Sequence, residues 1–378
     1  MTRRRIVTGV GAAFVAVAAG TWWVARPTPA PIGFPIRADE LAAARDLLAR
    51  NPAFDTHAHP GRSFVDGAEH LSGLVWLYAK LGSFEQDTIA DMREGGLAAA
   101  AFAAVADFQT LGLHGEGLAA VRDFEPGEAW ASYQRQIKRL QSLVSRGLVA
   151  AVHVPSDVAA ARAERKVGAM WTVEGGDFLE GRADRVAQAF ADGVRAITLM
   201  HYRNNELGDI ITAAPTHKRL TDAGVAVVRA MNAVGMLVDV AHASEATAMG
   251  AIAVSSRPVI ASHVHVQGAV THPRFISRDL AGAIVAKGGG LVGAWPTGIG
   301  IADLRGFVDR AIELVEIAGI DHVCLGTDMD ANYKPVFDTY RHLPHFVAGL
   351  TQRGLSEVDV AKLIGGNYLR LLATVQAT

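Results

Sequence analysis

The 378-residue chain is 50% hydrophobic, carries a formal net charge of −2 and has a mean hydropathy of +0.20, so it can bury a large core and offers no electrostatic footprint for nucleic acid. Its single cysteine, Cys324, excludes an internal disulfide and a zinc site built from cysteines alone. Any metal here must be held by histidine and carboxylate side chains.

The chain begins with a positive cluster, Thr2-Arg3-Arg4-Arg5, followed by the uncharged stretch Ile6–Ala25. That order reads as an export signal or a membrane anchor over residues 1–30. The arginine pair loosely resembles a twin-arginine signal. The apolar stretch is just long enough to span a bilayer, with Trp22 and Trp23 suited to its far interface. Cleavage after Ala30 is the alternative to anchoring. Either way the rest of the chain is expected outside the cytoplasm, periplasmic or membrane-anchored. Four prolines between Arg26 and Pro35 mark a linker, assigned to residues 31–36. No second linker follows, so residues 37–378 are expected to form one domain.

Beyond the linker, short apolar runs alternate with longer amphipathic segments. The expected strands are Ala53–His57, Leu97–Val105, Ala169–Val173, Val194–Leu199, Gly235–Val240, Pro258–Ser262, Gly289–Ala294 and His322–Gly326. They are short, uncharged in their interiors but for Asp55, Arg195 and Asp239, and rich in alanine or β-branched residues, as strands buried on both faces are. Leu148–Val154 is a candidate ninth strand. Helical patterns fall at Ala183–Asp192, His217–Val234, Ala243–Val254, Ser277–Lys287 and Leu304–Ala318. Eight strands with helices between them predict an α/β fold of the (β/α)₈ TIM-barrel type. No dinucleotide or phosphate-loop signature follows any strand.

In such a barrel, catalytic groups project from the C-terminal ends of strands. The first strand here runs into His57-Ala58-His59, the third into Glu174-Gly175-Gly176, and the fourth ends at His201. The fifth ends at His242, the sixth at His263, and the eighth at Asp328 and Asp330. Metal-competent side chains thus recur at one end of six strands. His57 and His59 share a face of their strand, and a carboxylate such as Glu174 can bridge two ions. Each residue has a plainer reading alone: a surface histidine, a turn before Gly-Gly, a helix cap at Asp328. His263 is followed by His265, and only one of the two is expected to be a ligand.

Several segments then resemble the membrane (renal) dipeptidases of the amidohydrolase superfamily. They are Val173-Glu174-Gly175-Gly176, Gly193-Val194-Arg195 through Thr198-Leu199-Met200-His201, Gly235–His242, Pro258–His263, Gly319–Asp330 and the closing Ile364-Gly365-Gly366-Asn367-Tyr368-Leu369-Arg370. The resemblance spans most of residues 50–370. It implies a zinc-dependent dipeptidase acting through a metal-bound hydroxide. The implied metal ligands are His57, His59, Glu174, His242 and His263, with Glu174 bridging two Zn²⁺ ions. His201 would contact the substrate carbonyl, Asp328 would handle the proton, and Arg274 would bind the substrate's terminal carboxylate. The family usually has His-x-Asp where this chain has His57-Ala58-His59, which keeps a ligand but loses a negative charge, so one ion per chain is the alternative to two. It usually has Asn where this chain has Phe275. These departures keep two other readings in play: another amidohydrolase or tailoring reaction on a secreted peptide-like substrate, and a metal-binding barrel without peptidase activity. The expected partners are a small peptide-like substrate and, as an alternative to a monomer, a second copy in a homodimer.

Overall fold

The computed structural model describes residues 30–114 and 117–377. The export or anchor reading of residues 1–30 therefore falls, apart from Ala30, outside the described residues. No helix among the described residues is long and apolar enough to cross a membrane.

The described residues form eleven strands: β1 (Ala53–Ala58), β2 (Leu97–Val105), β3 (Leu111–His114), β4 (Gly117–Ala120), β5 (Val149–Ala151), β6 (Val167–Glu174), β7 (Val194–Thr198), β8 (Leu237–Asp239), β9 (Val259–Val264), β10 (Leu291–Ala294) and β11 (Val323–Leu325). Eight of them close a parallel ring in the order β1-β2-β6-β7-β8-β9-β10-β11, with β11 returning to β1 through Asp55 and Leu325. This is the (β/α)₈ barrel that the eight apolar runs predicted. The candidate ninth strand is real but lies outside the ring, where β5 pairs with the first half of β6. A two-stranded antiparallel hairpin, β3–β4, follows β2.

The barrel strands are buried along almost their whole length because helices cover their outer faces, and β2 is buried at all nine positions. Alanine dominates β2, which keeps that wall thin. Gly293 answers a similar demand, since a Cβ there would sit 1.7 Å from the Ser262 carbonyl oxygen.

Several boundaries shift for local reasons. The helix expected from His217 starts only at Asp222, capped by Thr221. Before it, the Asp209 carboxylate accepts the backbone N–H groups of Thr216, His217 and Lys218 and folds them into a turn. The strands expected from Gly235 and Gly289 start two residues later, because both glycines take positive φ (73° and 85°) at the preceding helix's end. The proline-rich segment read as a linker is docked on the barrel. The Ala30 N–H donates to Asp338, the Pro31 carbonyl accepts from Leu304 N–H, and Ile32 and Phe34 pack on the core.

Candidate metal centre

The C-terminal ends of β1, β6 and β9 and the turns after β7, β8 and β11 converge on one carboxylate, that of Glu174. Its Oε1 lies 3.0 Å from His242 Nε2, 3.3 Å from His57 Nε2 and 3.4 Å from His263 Nε2. Its Oε2 lies 3.2 Å from His59 Nε2 and 3.3 Å from His201 Nε2. Asp328 Oδ1 stands 3.4 Å from His59 Nε2. His57, His59, Glu174, His201, His242, His263 and Asp328 are thus brought together. Among the described residues, three ligand triples can be drawn: His57–Glu174–His263, Glu174–His201–His242 and His57–His59–Asp328.

The backbone is bent to make this possible. Gly175, at φ 95°, turns the chain immediately beyond Glu174, so the Glu-Gly-Gly run serves both the ligand and the turn. His242 and Asp328 both occupy the left-handed region, at φ 64° and 55°. Each such residue costs on the order of 1–3 kcal/mol, a strain that persists where the surrounding structure imposes it.

The residues behind the rings set which nitrogen faces inward. His263 Nδ1 lies 2.9 Å from Ser262 Oγ, whose hydroxyl donates to Asp239 at 2.6 Å, so Nδ1 carries the ring hydrogen. Arg274 Nη2 donates to His263 Nε2 at 3.0 Å, which marks Nε2 as a lone pair. His59 Nδ1 faces the Ala103 carbonyl at 3.2 Å. A shell of this kind fixes the tautomer of metal-binding imidazoles.

Charge follows the same geometry. Burial, then Arg274, push His242 well below the ordinary imidazole range; burial, then His57, do the same to His263. These rings are neutral. Burial alone would raise the Glu174 carboxyl, but His201, His57 and His242 outweigh it and hold the group well below the usual range. Burial disfavours a cationic His59, yet Asp328 and Glu174 lift it to about 10. The Nε2 facing both carboxylates is the atom that His59 would offer to a metal.

The donor set fits divalent zinc. Glu174 Oε1 is buried, has no hydrogen-bond donor, and is ringed by imidazole nitrogens within 3.4 Å. Ring nitrogens His242 Nε2 and His263 Nε2 lie 2.9 Å apart with Arg274 donating into the second. Lone pairs crowded on an anionic oxygen need a positive charge among them, and neutral imidazole with carboxylate is a zinc donor set.

Arg274, buried at the edge of the centre, keeps Nη1 without an acceptor. The departure at Phe275 does not disturb it. The Phe275 ring turns away to pack edge-on against His265 and beneath Arg310. His265 also points away, toward Glu313 at 3.5 Å. Asp330, which the sequence places beside Asp328, is spent elsewhere: its Oδ2 accepts from Gly61 N–H and Thr88 Oγ1 at 2.6 and 2.7 Å.

Three contributors escaped the sequence reading. Asp107 is fully buried after β2, with its Oδ1 2.6 Å from His201 Nδ1 and its Oδ2 accepting from Tyr202 N–H. It is the first charged residue past an uncharged strand, so the strand-end rule applied to β2 would have found it. Burial disfavours a cationic His201, but Asp107, then Glu174, raise its pKa. Asp107→Asn should lower kcat roughly 10–100-fold with little change in KM. It should also move the alkaline limb of the pH profile downward, because His201 loses its proton sooner. An unchanged profile would mean that Asp107 only shapes the loop. Trp295, whose buried Nε1 has no acceptor, and Tyr202 complete the walls around the centre.

The model of the membrane dipeptidase family, peptidase family M19, matches residues 41–378. The chain is 26% identical over 348 residues to "Dipeptidase verJ" of Clonostachys rogersoniana, covering 89% of this chain and 88% of that protein. Its fold matches the probable dipeptidase PvdM from Pseudomonas aeruginosa with a TM-score of 0.74 at 20% identity, over 90% of this chain and 99% of that one. It also matches a metallopeptidase from Rhodobacter sphaeroides, solved with a phosphinate mimic of the dipeptide L-Ala-D-Ala, with a TM-score of 0.70 at 20% identity, over 86% and 99% of the two chains. The family match runs over the whole barrel and all the converging residues, and the chain belongs to the membrane dipeptidase family, peptidase family M19, and with it to the metallo-dipeptidase hydrolases.

Proposed function

We propose that this protein hydrolyses dipeptides at a two-zinc centre held by His57, His59, Glu174, His242 and His263. The observation that carries the reading is Glu174 Oε1, a buried carboxylate oxygen without a donor at the meeting point of three imidazole nitrogens. Zinc bound there supplies a Lewis acid and brings the pKa of a coordinated water down to about 7.

The chain's own groups do the rest. Arg274 Nη1 and Trp295 Nε1, two buried donors without acceptors, bind the carboxylate of the C-terminal residue. His201 keeps its proton because Asp107 lies behind it, and donates from Nε2 to the carbonyl oxygen as that oxygen gains charge. His59 differs, since only the neutral Ala103 carbonyl backs it, and it would give up its Nε2 proton to serve as a ligand. Asp328 accepts the proton of the attacking water and returns it to the leaving amine. An exported, extracytoplasmic protein is part of the same reading, supported by Arg3-Arg4-Arg5 ahead of Ile6–Ala25.

Elemental analysis of zinc-loaded protein, paired with assays on L,L- and L,D-dipeptides, tests this. Two ions per chain and dipeptide turnover are expected. Arg274→Ala should raise KM roughly 10–100-fold for dipeptides, the worth of a charged hydrogen bond, and far less for dipeptide amides. One ion per chain would make the centre mononuclear and implicate His59. Two ions without turnover of any dipeptide would overturn the proposal.

A further inference from the structure

The centre opens into a cavity of about 340 Å³, at the small end of ligand sites and of dipeptide scale. Its two flanks differ in chemistry. On one flank Arg274 reaches His263 Nε2 at 3.0 Å and lies over the Trp295 ring. His263 stacks on His57, whose Nε2 is 3.1 Å from His59 Nε2. On the far side of His59, 5.5 Å between ring centroids, stands Phe64. The contacts Arg274–His263–His57–His59–Phe64 thus link a cationic flank to an apolar one through the ligand rings.

The apolar flank is built by segments added to the barrel. Phe64 comes from the turn after β1, Val75 and Tyr78 from the helix Gly73–Lys80, Phe108 from the turn after β2, and Leu111 from the hairpin. Phe64, Val75, Phe108 and Leu111 form a hydrophobic cluster of their own, apart from the main core. The wall continues outward to Leu74, Leu113 and Leu118, which are 60%, 55% and 41% exposed while still lining the cavity. Among the described lining residues, the carboxylates are Glu174 and Asp328, both at the centre itself. Among the described lining residues none on this wall carries a charge, and the Arg62 guanidinium lies behind the Tyr78 ring, so apolar area gains by entering where a charged side chain does not.

We infer that the preferred dipeptides carry a large apolar side chain on the amino-terminal residue, seated against this wall and able to extend to Leu74, Leu113 and Leu118. The direction rests on the proposed function. With the substrate carboxylate at Arg274 and its carbonyl at the centre, the amino-terminal residue must lie on the Phe64 flank. The wall then selects by length, each buried methylene being worth about four-fold.

The test is a series of X-Gly dipeptides, with X running from Gly through Ala and Leu to 2-aminooctanoic acid, together with Glu and Lys. Alongside it, calorimetry measures binding of non-hydrolysable phosphinate mimics with the shortest and longest side chains. We expect kcat/KM to rise about four-fold per methylene until the outer leucines are reached, Glu and Lys to fall below Ala, and the long mimic to bind more tightly. Leu118→Asp, on the exposed hairpin, should flatten the rise and shift the Leu-to-Lys ratio at least ten-fold toward Lys. Dipeptide turnover that is flat across the apolar series, or a ratio unmoved in Leu118→Asp, overturns the inference and leaves the dipeptidase reading standing. Turnover of no dipeptide overturns both.

Discussion

Glu174→Gln should strip metal from this protein and abolish its turnover. The carboxylate meets five imidazole nitrogens within 3.4 Å, three at Oε1 and two at Oε2, so it sits in two of the three ligand triples. Glutamine keeps the shape but brings no charge, and its NH₂ would point donors at rings that already offer hydrogens or are needed as lone pairs. Metal participation is worth several kcal/mol of transition-state stabilisation, so the rate should fall by about 10³-fold or more. Elemental analysis should find less than one ion per chain. Zinc should raise the melting temperature of the native chain by binding the folded state, and that shift should disappear in the variant. Retention of two ions per chain by Glu174→Gln would show that the carboxylate is not a bridge and that the two sites are held independently.

Asp328→Asn should keep the fold and separate proton transfer from metal binding. The residue stands at the mouth end of β11 in a left-handed conformation, tied to β1 by its own N–H donating to the His57 carbonyl at 2.8 Å. Its carboxylate is 13% exposed, more open than the residues beneath it. A positioned acid–base group contributes about 10²–10⁴-fold, and kcat should fall by that much. KM should change far less, since Arg274, Trp295 and the metal ligands are untouched. The neighbouring carboxylate cannot stand in, because Asp330 is consumed by Gly61 and Thr88. Loss of one zinc ion in this variant would instead make Asp328 a ligand with His57 and His59, the third triple that the geometry allows. Normal rate with both ions present would remove it from the mechanism.

The barrel and the candidate metal ligands were legible because both obey local rules. A strand buried on both faces must be apolar throughout, so β2 and β6 announce themselves as runs, and a strand-end site must show polar residues directly after such runs. His57, Glu174, His201, His242 and His263 satisfy that rule one by one. What it could not rank were neighbours in sequence: His263 against His265, and Asp328 against Asp330. Each pair is separated by where the folded backbone aims its members, since one faces the centre while its partner faces Glu313 or Gly61. The departure at Phe275 leaves Arg274 in place, because the Phe275 ring packs against His265 while Arg274 reaches His263 at the centre.

By itself the sequence determined the fold class, the donor types available to a metal and the identity of the ligand candidates, since these depend on hydrophobic period and on residue chemistry. Tertiary structure alone decided what those donors face. The lone pair on His263 is set by Ser262 and Asp239, the proton on His201 by Asp107 from 94 residues away, and the apolar flank by Phe64, the Gly73–Lys80 helix and a hairpin whose pairing no period revealed. Tautomer, charge and cavity shape arise from contacts between segments distant in the chain, and a hydrogen bond or a packed ring acts through space rather than along the backbone.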